Sequence, residues 1–93
     1  MLKDIKKRAY HHARIIEGQM RALIKAIEEE AYCIDVLTQS LAVEKSLRSL
    51  RKLVLENHLR THVKDVMANG TKRDKEKAVE ELLELYELSN VRG

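Results

Sequence analysis

The sequence predicts an all-α protein with three helices per chain, and two observations carry that expectation. The 93 residues contain no proline and only three glycines, Gly18, Gly70 and Gly93, so the punctuation that hairpins and multi-loop β folds require is missing. Apolar residues recur at threes, fours and sevens, the period of a helix with one buried stripe. The single cysteine, Cys33, can form no internal disulfide. A chain of this length is read as one domain over residues 1–93. Such a domain buries only about 60 to 65% of its unfolded surface, which leaves its core short and makes oligomerisation the expected remedy.

The first helix is expected over about 2–29, with Ile5, Ala9, Ile16, Met20, Leu23 and Ile27 on one stripe. Its end is weakly marked. Glu28, Glu29 and Glu30 disfavour a helix C-terminus and favour the start of the next helix, which places a tight break near Ala31 and Tyr32. The second helix then meets no glycine or proline until Asn69-Gly70 and is expected over about 33–69, with Val36, Val43, Leu47, Leu50 and Val54 on its stripe. A charged linker over 71–77 leads into a third helix, about 74–88, with Val79, Leu82, Leu83 and Tyr86 on one side.

A second helix of 37 residues measures about 55 Å at 1.5 Å per residue, too long for one small chain to cover. Two copies packed antiparallel through their first and second helices cover it, giving a four-helix-bundle dimer; the third helices cap it or join dimers into a tetramer.

Charge is segregated. Residues 1–26 carry seven bases against two acids, and residues 45–64 carry six against one, a net +5 in each case. Over 74–88 six acids outweigh two bases, a net −4. The overall +3 therefore conceals two basic helices and one acidic one. Basic stripes suit a phosphate backbone, although a solvated Lys/Glu surface gives the same composition. No apolar run approaches the roughly 20 residues that span a bilayer, and no cleavable signal segment is apparent. A cytoplasmic protein without a membrane partner is expected.

The residues with distinctive chemistry are Cys33, His58 and His62. The two histidines stand four apart and project from one helix face, the natural spacing of a two-toothed metal ligand, though also a common arrangement of plain surface histidines. Twenty-five residues of helix separate Cys33 from His58, about 37 Å, whereas metal bonds of roughly 2.0 to 2.3 Å gather all ligands into one cluster. One chain cannot close such a site. An antiparallel pair of second helices can, if its two-fold axis passes near Leu47: Cys33 of one chain then lies beside His58 and His62 of the other, twice per dimer.

The chain resembles the copper-sensing operon repressor family of bacterial metal- and stress-responsive repressors. The resemblance rests on Arg14-Ile15-Ile16-Glu17-Gly18-Gln19, on Ala31-Tyr32-Cys33-Ile34-Asp35-Val36-Leu37 with Gln39, on Asn57-His58-Leu59 with His62, and on Ala78-Val79-Glu80-Glu81-Leu82. It implies an all-helical antiparallel dimer assembling into a tetramer, without a helix-turn-helix. It further implies that metal-free protein holds double-stranded operator DNA and that an inducer at Cys33, His58 and His62 releases it, derepressing an efflux or detoxification gene. By the same resemblance Tyr32 and Glu81 bond the free nitrogen of the first histidine, a support expected for a ligating imidazole. The family's copper branch carries cysteine where His62 stands; one sulfur and two nitrogens still suit Cu(I) and also admit Ni, Co or Zn. The nickel/cobalt branch adds a histidine near the N-terminus, where this chain has Met1-Leu2-Lys3, and the formaldehyde branch uses an N-terminal proline that is missing here. Cu(I) is the expected inducer.

For DNA contact, Arg14 belongs to the shared motif, and Lys6, Lys7, Arg8, Arg48, Arg51 and Lys52 are candidates from charge. Two readings from other classes compete: a small helical dimeric enzyme of chorismate-mutase type and a helical adaptor. The arginines lie away from the apolar stripes, and no carboxylate pair, nucleophile triad or phosphate loop is apparent, so an enzyme is not expected.

Overall fold

The computed structural model describes residues 1–90. Their elements are α1 (Lys3–Glu28), α2 (Cys33–His58), a π-helical turn (Leu59–Val63), α3 (Lys64–Asn69) and α4 (Lys72–Ser89), with no strand among the described residues. The all-α expectation holds. The second helix departs from its expected uninterrupted course over 33–69, because a π-helical turn follows His58 and only then does α-helix resume. The chain divides into two compact units, residues 1–57 and those from His58 onward.

In the first unit α1 and α2 form an antiparallel hairpin. The Leu2 N–H donates to Asn57 Oδ1 at 2.8 Å, and His12 Nε2 meets the Ser46 carbonyl at 3.0 Å. These ties pair residue 2 with 57 and residue 12 with 46, setting Ile5 level with Val54, Ala9 with Leu50 and Ile16 with Val43. Ile5, Ala9, Ile16 and Ala26 of α1 are buried, as is Val43 of α2. Full burial of an aliphatic side chain stabilises by about 1.5 to 3 kcal/mol, so this core is small. Of the rest of the expected stripes Leu23, Val36 and Leu50 are half-buried, while Met20, Ile27, Leu47 and Val54 are exposed, Leu47 at 38% and Val54 at 42%. An apolar face left this open in one chain is the kind of surface that associates.

The turn between the helices is a Schellman motif. Ala31 N–H donates to the Ala26 carbonyl at 2.9 Å and Glu30 N–H to the Ile27 carbonyl at 3.1 Å, with Glu30 in the left-handed region at φ 53°. Glycine usually takes that position because a Cβ there is penalised. The Tyr32 carbonyl then accepts from Asp35 and Val36 N–H groups, so α2 opens with Cys33 as its first residue and Asp35 in the first turn, where an acid is favoured by the helix dipole.

In the second unit Val66 of α3 and Ala78 of α4 are buried, Ala78 at 1%, and these two helices pack on each other. The packed edge of α4 is Ala78 with half-buried Leu82; Val79, Leu83 and Tyr86, expected on one side with Leu82, are exposed. Gly70 ends α3 in extended rather than left-handed backbone (φ −79°, ψ 160°). Space, not φ, demands glycine there: a Cβ would stand 2.6 Å from the Val66 carbonyl oxygen. α4 starts two residues before its expected position because Thr71 caps it. The Thr71 hydroxyl accepts from Asp74 N–H at 3.1 Å and Asp74 Oδ2 accepts from Thr71 N–H at 3.0 Å, a capping box. No helix among the described residues is long and apolar enough to cross a membrane.

Candidate metal centre

His58 closes α2 and His62 lies within the π-helical turn. A π turn carries one extra residue and is frequent at functional sites. The two imidazoles stack side by side, with centroids 5.0 Å apart and planes inclined by 24°. A metal ion with bonds of about 2.0 Å to imidazole nitrogen can bridge such a span. His58 is half-buried and His62 exposed.

Both rings line an open cleft of about 640 Å³ with Val66, Asp74, Lys77 and Glu81. Glu81, expected to support the first histidine, therefore shares its cleft, carried there by α4. Asp74 is an addition that the linker reading of 71–77 passed over; its Thr-x-x-Asp capping box was the available signal. Hydrogen bonds from the Thr71 backbone and hydroxyl hold the Asp74 carboxyl below its ordinary value, with smaller pulls from Lys77 and His62. Asp74 thus stays anionic beside His62, and the cleft favours a cation.

Cys33 and Tyr32 belong to the first unit. Cys33 is an exposed free thiol at the start of α2, and Tyr32 is 71% exposed. Among the described residues no three His, Cys, Asp or Glu side chains gather closely enough to hold a metal ion. The donor types nonetheless fit a soft cation: one accessible thiol and two imidazoles already side by side.

The basic candidates all lie in the first unit and all are exposed: Lys6, Lys7, Arg8 and Arg14 on α1, Arg48, Arg51 and Lys52 on α2. The hairpin register sets Lys7 level with Lys52 and Arg8 with Arg51. Arg8 and Lys52 line one cleft of about 540 Å³ with His11, His12, Ser49, Leu53 and Glu56. Arg14 pairs with Glu17 at 3.0 Å, and Arg21 reaches the same carboxylate at 3.0 Å. Exposed pairs of this kind contribute little to stability, and the triad retains net positive charge.

A family model described as metal-sensitive transcriptional repressor matches residues 5–87. The copper-sensing transcriptional repressor RicR of Mycobacterium tuberculosis is 47% identical over 57 residues, which are 61% of this chain and 59% of that protein. The copper-sensing transcriptional repressor CsoR of Bacillus subtilis is 35% identical over 71 residues, 76% of this chain and 67% of that protein. The match thus spans less than two thirds of the mycobacterial relative. Among solved structures, the crystal structure of the copper-sensing repressor CsoR with Cu(I) from Geobacillus thermodenitrificans is similar with a TM-score of 0.86 at 27% identity, over 98% of this chain and 92% of that one.

Proposed function

Since this chain belongs to the family of metal-sensitive transcriptional repressors, we propose that it is a Cu(I)-responsive repressor acting in the cytoplasm. The family is one of repressors, not of enzymes, so the chorismate-mutase reading falls away. The observation that carries the proposal is the stacked His58–His62 pair in a cleft that also holds Glu81. The relatives' names and the Cu(I)-containing structure support copper as the inducer.

In this reading residues 1–93 act as one sensing domain that pairs with a second copy as an antiparallel four-helix dimer, and dimers join into a tetramer. Cys33 of one chain meets His58 and His62 of a second copy, and the exposed Leu47 and Val54 stripe is covered by pairing. Tyr32 and Glu81 orient the His58 ring through its remaining nitrogen. Operator DNA lies along Lys6, Lys7, Arg8, Arg14, Arg48, Arg51 and Lys52. Cys33, His58 and His62 would hold Cu(I) through one sulfur and two imidazole nitrogens. Because Glu81 and Asp74 sit on α4 beside those imidazoles, a change in the rings' position shifts α4. The resulting coupling between metal and DNA sites is typically 1 to 3 kcal/mol, enough to release DNA and derepress an efflux or detoxification gene.

The test is competition on anaerobic, reduced protein between a Cu(I) chelator and added Ni(II), Co(II) or Zn(II), with release of labelled operator DNA followed in parallel. Cu(I) is expected to bind most tightly and to release DNA. Release by Ni(II) or Co(II), but not by Cu(I), would overturn the copper reading.

A further inference from the structure

We propose that the α1–α2 cleft lined by Arg8, His11, His12 and Lys52 is a phosphate-binding site whose grip tightens when its two imidazoles are protonated. This rests on the DNA-binding reading and adds a proton dependence to it.

The sequence carries four histidines, and the metal site uses only His58 and His62. His11 and His12 are on α1, in the other unit, and both line the same cleft as two of the exposed bases. The His12 ring is fixed: a carbonyl can only accept, so Nε2 carries the hydrogen that reaches Ser46 O at 3.0 Å. With Nε2 so committed, Nδ1 is the nitrogen left to take up a proton. His11 is exposed and His12 half-buried, so protons and anions both have access.

The charges facing these rings come from both helices. On α1 Arg8 lines the cleft, with Asp4 3.6 Å from its guanidinium in a pair exposed to solvent. On α2 Lys52 lines it, together with one carboxylate, Glu56. Ser49 donates its hydroxyl to the Lys45 carbonyl at 3.3 Å, so its hydrogen is not offered to a ligand. Among lining residues the fixed charges are thus two cations and one anion, and protonating both imidazoles adds two more positive charges. Histidine is the side chain suited to such a proton-dependent change of charge. A tetrahedral phosphate oxyanion, from a DNA backbone or free in solution, is the ligand such a cleft recognises.

The experiment measures binding of a labelled mixed-sequence DNA duplex to reduced, metal-free full-length protein at pH 6.0 and pH 8.0, each over a salt series. The wild type is expected to bind about tenfold more tightly at pH 6.0. Its log–log salt slope should steepen by roughly 0.9 for each additional phosphate neutralised. His11→Gln, which leaves the His12–Ser46 tie intact, should lose part of this pH effect, and the double variant His11→Gln/His12→Gln nearly all of it. In a second arm inorganic phosphate is titrated while the histidine ring proton resonances are followed by NMR; the His11 and His12 signals should shift and the His58 and His62 signals should not. DNA binding that is equally tight and equally salt-dependent at both pH values, with no phosphate-induced shift at His11 or His12, would overturn the proposal while leaving the repressor reading standing. Absence of DNA binding at any pH would overturn the repressor reading itself; phosphate shifts persisting in that case would keep the cleft as a site for free anions alone.

Discussion

The chain holds two histidine pairs, and they differ in spacing, surroundings and consequence. His58 and His62 stand one helical turn apart, stack at 5.0 Å, and share a cleft with two carboxylates, Asp74 and Glu81. His11 and His12 are neighbours in α1 and share a cleft with Arg8 and Lys52. In the proposed reading the first surroundings suit a cation and the second an anion. The same side chain thus acquires opposite preferences from the residues that neighbouring helices bring beside it.

The sharpest way to break this contrast is to delete one pair and assay both ligands. His58→Ala or His62→Ala should weaken Cu(I) binding by more than about 100-fold, since even an outer supporting residue accounts for 10 to 100-fold, and should leave DNA affinity close to wild type. His11→Ala/His12→Ala should leave Cu(I) affinity within about twofold, as chelator competition can establish. Loss of copper binding in the second variant would erase the distinction.

The units also differ in what holds their turns, and stability measurements at fixed protein concentration sharpen that difference. Gly70→Ala sets a Cβ 2.6 Å from a backbone oxygen and should destabilise by about 2 kcal/mol, the scale of overpacking. Thr71→Ala removes the α4 cap and should destabilise by about 1 kcal/mol. The Asp74 half of that box adds a pH signature. Its carboxyl is held below its ordinary value, so its contribution is complete above the unfolded carboxyl's range near about pH 4 and is lost as pH falls through the lower folded value. The stability gap between wild type and Asp74→Ala should therefore narrow in acid. In the first unit the effect reverses sign: Glu30→Gly relieves a left-handed glutamate and should raise stability by roughly 0.5 to 1 kcal/mol.

Those turns mark where the sequence was and was not legible. The helices were readable from period and punctuation, and the i, i+4 histidines from spacing, because both depend on near neighbours alone. The break near Ala31 and Tyr32 is legible too, but its Schellman form is not, because Glu30 occupies a position that usually announces itself as glycine. Thr71-Lys72-Arg73-Asp74 reads as charge rather than as a capping box, so the sequence alone starts α4 two residues late and does not single out Asp74. The π-helical turn has no residue signature at Leu59–Val63. The clefts depend on tertiary register: the His12–Ser46 and Leu2–Asn57 ties set which bases face His11, and nothing local in the sequence specifies them. Exposure of Leu47 and Val54 reflects a stripe read correctly as apolar but open in a single chain.

The central claim is that Cys33 of one chain and the His58–His62 pair of another make one site, and mixing variants tests it directly. Cys33→Ala protein and His58→Ala/His62→Ala protein should each fail to retain Cu(I) against a strong chelator. After subunit exchange about half of the dimers are mixed, each with one whole site, so the mixture should regain about one quarter of wild-type capacity. A mixture that binds no more copper than its separate components would contradict a site shared between chains.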